Sequence, residues 1–499
     1  MDLTRLLILI VAAVLATLLL RVRPGWRNWV LLVMSVVVLF WLQPGTPIRN
    51  LSFWFPLASL VLAGAVWAWT SNDRPPPPDD QPPQTVFASL GRAAARNGAT
   101  IKTLAVVGGV VLVLGLSRYI ELPAAILAAR PPDVLVVLLA LIALLALALL
   151  ASRLTPNASQ LTLLIVAFVV LFVTLKLDLS AWAISMGLRV LNGQAVAQAS
   201  ALDLRWLGFS YITFRLIHVL REKQNGKLPS MSLQEFMIYV IFFPALSAGP
   251  IDRSDRFLKD LRAPFVVNSE VAYDVGRRVM LGIFKKYALA DTLALIALNE
   301  INAAQIRSNA AGWAWVIVYA YALRIYFDFS GYTDIATGLG RLFGIKLPEN
   351  FNAPYLKPNL TQFWNSWHMS LSQWFRAYWF NPLTRALRKL PSPVVGGEAG
   401  GWSQSQIIFV GQVSTMLLIA LWHGITPNFV AWGVWHALGL FVHNRWADYA
   451  KSHDLARFAR IGNLLGPILT FHYVALGWVW FALPSLGLSL QTFVRMVGR

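Results

Sequence analysis

The stretch IIFVGQVSTMLLIALWHGITPN, Ile407–Asn428, is an apolar run that ends in a histidine. A segment this apolar and free of charge reads as a membrane-crossing helix, which needs about 20 residues. At its end Gly424 removes a side chain beside His423, and Pro427 breaks the segment so that a new helix begins. No acidic residue is near in sequence, so a neutral imidazole there is suited to accept a proton from a hydroxyl. The competing reading is an interhelical hydrogen bond or an interfacial ring, the commoner role of a histidine in a helical membrane protein.

Composition extends that reading to the whole chain. Of 499 residues, 57% are hydrophobic and only 13% charged, and the mean hydropathy is +0.58; a soluble domain carries about 25% charged residues. The expected fold class is an all-α polytopic membrane protein. Lys+Arg number 42 against 23 Asp+Glu, a formal charge of +19. In such a chain this excess is matched by cytoplasmic loops and anionic lipid headgroups, not by nucleic acid. Without cysteine there is no disulfide, thiolate nucleophile or Cys-ligated metal. His423, His436 and His443 lack the i,i+4 spacing of a helical zinc site, so no metal is expected. GGEAGG, Gly396–Gly401, lacks the Lys-Ser/Thr of a phosphate loop and reads as a flexible connection.

Three apolar segments, near Leu3–Leu20, Val30–Leu42 and Leu51–Trp69, precede SNDRPPPPDDQPPQ, Ser71–Gln84. The first has no small-residue cleavage site and reads as a retained span. The proline-rich run cannot enter lipid as a helix. The expected organisation is an N-terminal three-span unit (1–70), a cytoplasmic linker (71–100), accessory membrane helices (101–200) and a functional core (201–499). Arg21, Arg23 and Arg27 make the first loop cytoplasmic and place the N-terminus outside. Beyond Leu202 the apolar segments also carry aromatic, polar and ionisable residues, and helices of that kind face a protein interior or a watery cavity.

Within that half, Thr361–Leu383 holds a second candidate, His368. Read as one helix, Trp364, Trp367, His368, Leu371, Trp374, Phe375 and Tyr378 form an aromatic stripe. YFDFSGYTD, Tyr326–Asp334, places Asp328 and Asp334 around a glycine-containing bend, as functional polar groups or as ion-pair partners of Arg324 or Arg341. Arg253, in GPIDR, reads an anionic group or sits on the cytoplasmic surface. Trp422, Asn365 and Asn428 complete the candidate polar surroundings.

Taken in order, LGFSYITFRLIHVLRE, FFPALSAGPIDR, GIFKKYALAD, YFDFSGYTDIATGLGRLFGIKLPENFNAPYL, FWNSWHMSLSQWFR, LWHGITPNFVAWGVWHALGL and FHYVALGWVWFALPS resemble the membrane-bound O-acyltransferase (MBOAT) family. The likeness is to its bacterial branch, with the membrane proteins of alginate O-acetylation and teichoic acid D-alanyl transfer, and runs from about Leu207 to Pro484. It implies a multi-helix bundle around a central tunnel or funnel, with His423 as the more critical of two histidines and His368 as the second. It also implies transfer of an acyl group, often acetyl, from a cytoplasmic thioester to a hydroxyl acceptor. The donor would be acetyl-CoA or an acyl carrier protein, the acceptor an envelope or exported polysaccharide. An extracytoplasmic acyltransferase partner would complete the modification.

The resemblance further implies a bacterial cytoplasmic membrane location among its lipids and no tightly bound cofactor. In the expected chemistry His423 takes the acceptor proton through Nε2 or Nδ1, and His368 orients or polarises the thioester. Asp328, Asn365 and Asn428 belong to the surrounding network. Two features depart from the family pattern: Ala377 stands where many relatives have an acid, and no glycine pair follows Leu383. A transporter or flippase for a lipid-linked glycan, or a non-catalytic scaffold, are the rival readings. The paired histidines weigh against the scaffold, and the lack of an internal repeat weighs against common transporters.

Overall fold

The computed structural model describes residues 2–71, 98–120, 130–151, 157–305, 311–390, 401–453 and 459–499. The proline-rich linker from residue 72 onward and residues 396–400 of the glycine-rich loop lie outside the described residues. Among the described residues the chain is built of helices, and seven of these are long and apolar enough to cross a membrane. The chain is therefore an all-α polytopic protein. By internal compactness it divides into two units. The first is Met1–Val275 with Ala336–Leu347, and the second is Gly276–Ile335 with Pro348–Arg499.

In the first unit the apolar runs become α1 (Leu3–Val22), α2 (Arg27–Trp41), α3 (Leu51–Thr70), α4 (Gly98–Leu116), α5 (Val134–Ala151) and α6 (Ala158–Lys176). Asp2 and Asn157 cap α1 and α6 by accepting backbone N–H bonds that the first helical turn leaves unmade. α1 and α6 expose rows of leucine and valine, as a helix facing hydrocarbon does. The more polar α7 (Asp178–Leu191), α8 (Phe209–Gln224), α9 (Leu233–Ile241) and α10 (Ser254–Arg262) follow. Their buried charges are satisfied. Arg215 donates to the carbonyls of Val240 and Ala245, each at 2.8 Å. Arg189 grips Asp203 through Nε at 3.0 Å and Nη2 at 2.9 Å. Such bonds are what permits a charge inside a low-dielectric interior.

The second unit begins within α11 (Ser269–Ile283), which continues into a wider π-helical turn, Phe284–Ala290. α12 (Ala311–Leu342) belongs to this unit as far as Ile335. The bend expected at Gly331 is not there, because the helix runs unbroken through it. Gly331 is instead a crossing point. A Cβ on Gly331 would lie 2.7 Å from the Gly282 carbonyl oxygen, and one on Gly282 would lie 2.6 Å from the Gly331 oxygen. This close approach puts Lys285 and Lys286 alongside the acids of α12. Lys285 Nζ pairs with Asp334 at 2.7 Å, and Lys286 pairs with Asp328. Asp328 is therefore held by a lysine of the π turn, not by Arg324 or Arg341; Arg341 pairs with Asp274 in the first unit.

After the short helices α13 (Leu360–Trp364), α14 (Met369–Phe375) and α15 (Asn381–Leu387) come α16 (Gln404–His423) and α17 (Pro427–Ser452). The chain ends in α18 (Ala459–Ala482) and α19 (Leu486–Met496). α16 and α17 form a tight hairpin in which a Cβ on Gly433 would stand 2.9 Å from the Ala420 side chain. Thr426 caps α17, and Pro427 takes its first position, where the missing N–H costs nothing.

Candidate active site

His423 is the last residue of α16. Gly424 follows in extended conformation, and a Cβ there would be 2.4 Å from the Phe429 ring, so that position admits no larger residue without displacing Phe429. The His423 ring packs against Trp422, Phe429, Trp432 and Phe481, with centroids 4.6, 6.1, 5.8 and 4.8 Å away.

His368 reaches the same place by a different route. The continuous aromatic helix expected through Trp364–Tyr378 is broken, because His368 has φ 42° and ψ 54°, in the left-handed region. α13 ends before it, α14 starts after it, and Arg376–Phe380 forms a second π-helical turn. L-residues other than glycine adopt that conformation at a cost of about 1–2 kcal/mol, so surrounding structure must hold it. The turn is pinned on both sides. Trp367 forms a bridge with Phe351, Asn352 N donates to Ser366 O at 3.1 Å, and Met369 N donates to Asn350 O at 3.0 Å.

The two imidazoles line one small cavity of about 40 Å³, together with Ile325, Phe329, Trp364, Trp432, Trp478 and Phe481 among others. Trp422 neighbours both rings, 6.1 Å from His368 and 4.6 Å from His423, and Phe329 meets His368 edge-on at 4.7 Å. Among the described residues no acidic side chain lines the cavity. Burial without a charged neighbour favours a neutral imidazole, and His368 is only 4% exposed. His368 Nε2 and the indole nitrogens of Trp364 and Trp432 are buried with no hydrogen-bond partner among the described residues. A neutral ring with an uncommitted nitrogen beside a second imidazole is suited to proton transfer and to polarising a carbonyl.

The remaining candidates fall elsewhere. Asn428 is buried, but its Nδ2 donates to Leu483 O at 2.8 Å and Ser489 Oγ at 3.0 Å, tying α17 to the end of the chain. Asn365 is exposed and accepts from Arg376 Nη2 at 2.9 Å. Asp328 is half exposed in its pair with Lys286, although its helix neighbours Ile325 and Phe329 line the cavity. Arg253, in the first unit, is exposed and pairs with Asp255 at 3.0 Å. Beside it, burial pushes the Asp252 carboxyl up against the opposing pull of Arg256. Sequence reasoning missed Phe329, Trp432, Trp478 and Phe481, whose aromatic character looked like ordinary core, and Asn350, whose contacts with the His368 turn no local pattern announces.

Residues 151–393 match the MBOAT, membrane-bound O-acyltransferase family, a stretch that contains His368 and ends before His423. The chain is 30% identical over 287 residues to a teichoic acid D-alanyltransferase of Bacillus subtilis, covering 56% of this chain and 69% of that protein. It is 33% identical over 294 residues to a probable alginate O-acetylase of Pseudomonas aeruginosa, covering 58% and 51%. With a peptidoglycan O-acetyltransferase of Helicobacter pylori it shares 32% identity over 269 residues, covering 53% and 46%. The chain thus spans about two thirds of the first relative and about half of the other two. This chain belongs to the membrane-bound O-acyltransferase family, and with it to the acyltransferases.

Proposed function

We propose that this protein moves a short acyl group, acetyl in the first instance, from a thioester supplied on the cytoplasmic side to a hydroxyl of a cell-envelope or exported polysaccharide. An extracytoplasmic acyltransferase partner completes the delivery, and the protein resides in the bacterial cytoplasmic membrane. The observation that carries the reading is the convergence of His423 and His368 on one aromatic cavity. Relatives named for O-acetylation of alginate and of peptidoglycan support the substrate class.

In the reaction the acceptor hydroxyl gives its proton to His423 as its oxygen attacks the thioester carbonyl carbon. His368 donates a hydrogen bond from Nε2 to the carbonyl oxygen, which becomes negatively charged in the tetrahedral intermediate. Collapse breaks the C–S bond, and the His423 imidazolium returns the proton to the departing thiolate. The products are an ester and a free thiol, so atoms and charge balance without a bound cofactor. Acetyl-CoA or an acyl carrier protein serves as donor and is consumed as substrate. The cavity favours a small acyl group, because its roughly 40 Å³ is walled largely by bulky aromatic rings.

The test uses purified full-length protein in lipid, a radiolabelled acetyl thioester as CoA or carrier-protein conjugate, and candidate extracytoplasmic partners added or withheld. Thioester-dependent loss of free donor, abolished in His423→Ala, supports the reading. Wild-type turnover by a properly inserted His423→Ala protein would sink it.

A further inference from the structure

We propose that Asn350 is a positioning residue for His368: its side-chain oxygen holds the strained turn that aims the imidazole into the cavity. The inference rests on the catalytic reading given above. Asn350 is completely buried. Its Oδ1 accepts two bonds, from Ser370 Oγ at 2.6 Å and from Ser370 N at 3.2 Å, and its backbone oxygen accepts Met369 N at 3.0 Å. One residue thus fixes both positions that follow His368, and with them the φ and ψ of His368 itself.

Three features make this more than ordinary packing. The conformation it stabilises is the left-handed one at His368, which a β-carbon disfavours. Strained backbone of this kind persists only where the surroundings over-determine it, and the Phe351–Trp367 bridge and the Asn352–Ser366 bond complete that restraint. Second, Asn350 Nδ2 is buried with no hydrogen-bond partner among the described residues. A buried donor left unmade costs about 1–3 kcal/mol, so an apolar residue of similar size would suit fold stability better unless the oxygen is needed. Third, the preceding residue is anchored from the same unit. Glu349 Oε1 accepts from Arg278 Nη1 at 2.7 Å, and Arg278 also reaches Asp334 at 3.2 Å. The loop carrying Asn350 is therefore tied to α11 and α12 on one side and to the His368 turn on the other.

The experiment compares Asn350→Ala, Asn350→Asp, Ser370→Ala and Ser370→Thr in the full-length protein in lipid, with thioester turnover and melting measured on each. Misplacing a catalytic group by about 1 Å costs about 100-fold. Asn350→Ala is expected to lower kcat by about 10- to 100-fold while KM for the thioester changes less than about threefold. Asn350→Asp keeps the acceptor oxygen and recovers part of the loss. Ser370→Ala loses one bond and about 3- to 10-fold in kcat, and Ser370→Thr, which keeps the hydroxyl, restores turnover relative to it.

The deciding measurement is Asn350→Ala in a His368→Ala background. A residue that acts only through His368 adds no further loss there. An additional loss of tenfold or more, or a wild-type kcat in folded Asn350→Ala, overturns the proposal. Should Asn350→Ala fail to insert, the serine pair decides: equal kcat for Ser370→Ala and Ser370→Thr overturns it. If His423→Ala and His368→Ala both keep turnover, the catalytic reading has failed. If they lose it and Asn350→Ala does not, only this inference has.

Discussion

Two buried histidines, one in each unit, differ in what their ring nitrogens meet. His218, in α8, is 2% exposed, and its Nε2 faces Ser254 N and Ser254 Oγ, both at 3.0 Å. Ser254 opens α10, so the imidazole satisfies one of the donors that every helix N-terminus leaves unpaired. Its lone pair is committed to holding the fold. His368, in the second unit, is 4% exposed, yet its Nε2 has no partner among the described residues and its ring faces a cavity. Other buried polar groups differ in the same sense. Arg215 and Arg189 of the first unit have strong polar partners, whereas the indole nitrogens of Trp364 and Trp432 beside the cavity have none among the described residues. Burial alone therefore does not single out a candidate; burial without a bonding partner among the described residues, beside a cavity, is what singles out His368.

The largest test of that contrast removes the rings. His423→Ala is expected to lower turnover by about 10²- to 10⁴-fold, the range for loss of a positioned general base, with melting behaviour close to wild type. His218→Ala should do the reverse. It orphans the Ser254 N–H and costs about 1–3 kcal/mol of stability, seen as a lower melting temperature, while kcat per folded molecule stays at the wild-type value. A large kcat loss in folded His218→Ala would collapse the distinction.

A sharper test compares glycine with alanine at both places. His218 lies inside α8, where glycine is less stable than alanine by about 1 kcal/mol. At His368, with φ at 42°, the order reverses, because glycine occupies the left-handed region freely. His368→Gly should therefore be more stable than His368→Ala by about 1 kcal/mol, and both should be catalytically impaired. Calorimetric or fluorescence melting of the four variants reads the sign directly. The usual order at His368 would mean that the turn is not held left-handed in the working protein.

These residues also explain what the sequence reveals and what it hides. The spans were legible because long apolar runs in lipid have few alternatives to helix, and α1, α2 and α3 lie close to where those runs predict. The His423 corner was legible because Gly424 and Pro427 are local signals. The break at His368 was not. Its aromatic spacing of three and four suits a continuous helix, and what overrides it comes from Asn350 and Phe351, far upstream in sequence. The same holds at Gly331. A glycine among polar residues looks like a bend until Gly282 is seen packed against it. Likewise, the partner of Asp328 lies on another helical segment, in a register that only the glycine crossing sets.

That crossing and its ion pairs supply the remaining tests. Gly331→Ala places a Cβ against backbone atoms of Gly282 and Lys286, which cannot swing aside, so overpacking of about 1–3 kcal/mol is expected in melting experiments. Glu349→Gln is milder. Its side chain is half exposed and its partner Arg278 keeps Asp334, so the lost pair is worth no more than about 1 kcal/mol in stability. Its value lies in direction. If the Arg278–Glu349 pair serves to steady the loop that carries Asn350, the substitution should lower kcat by a small factor at low salt. Because an exposed pair is screened by ions, the difference from wild type should shrink as ionic strength rises. A kcat deficit that is independent of salt would mean that Glu349 acts through something other than its charge.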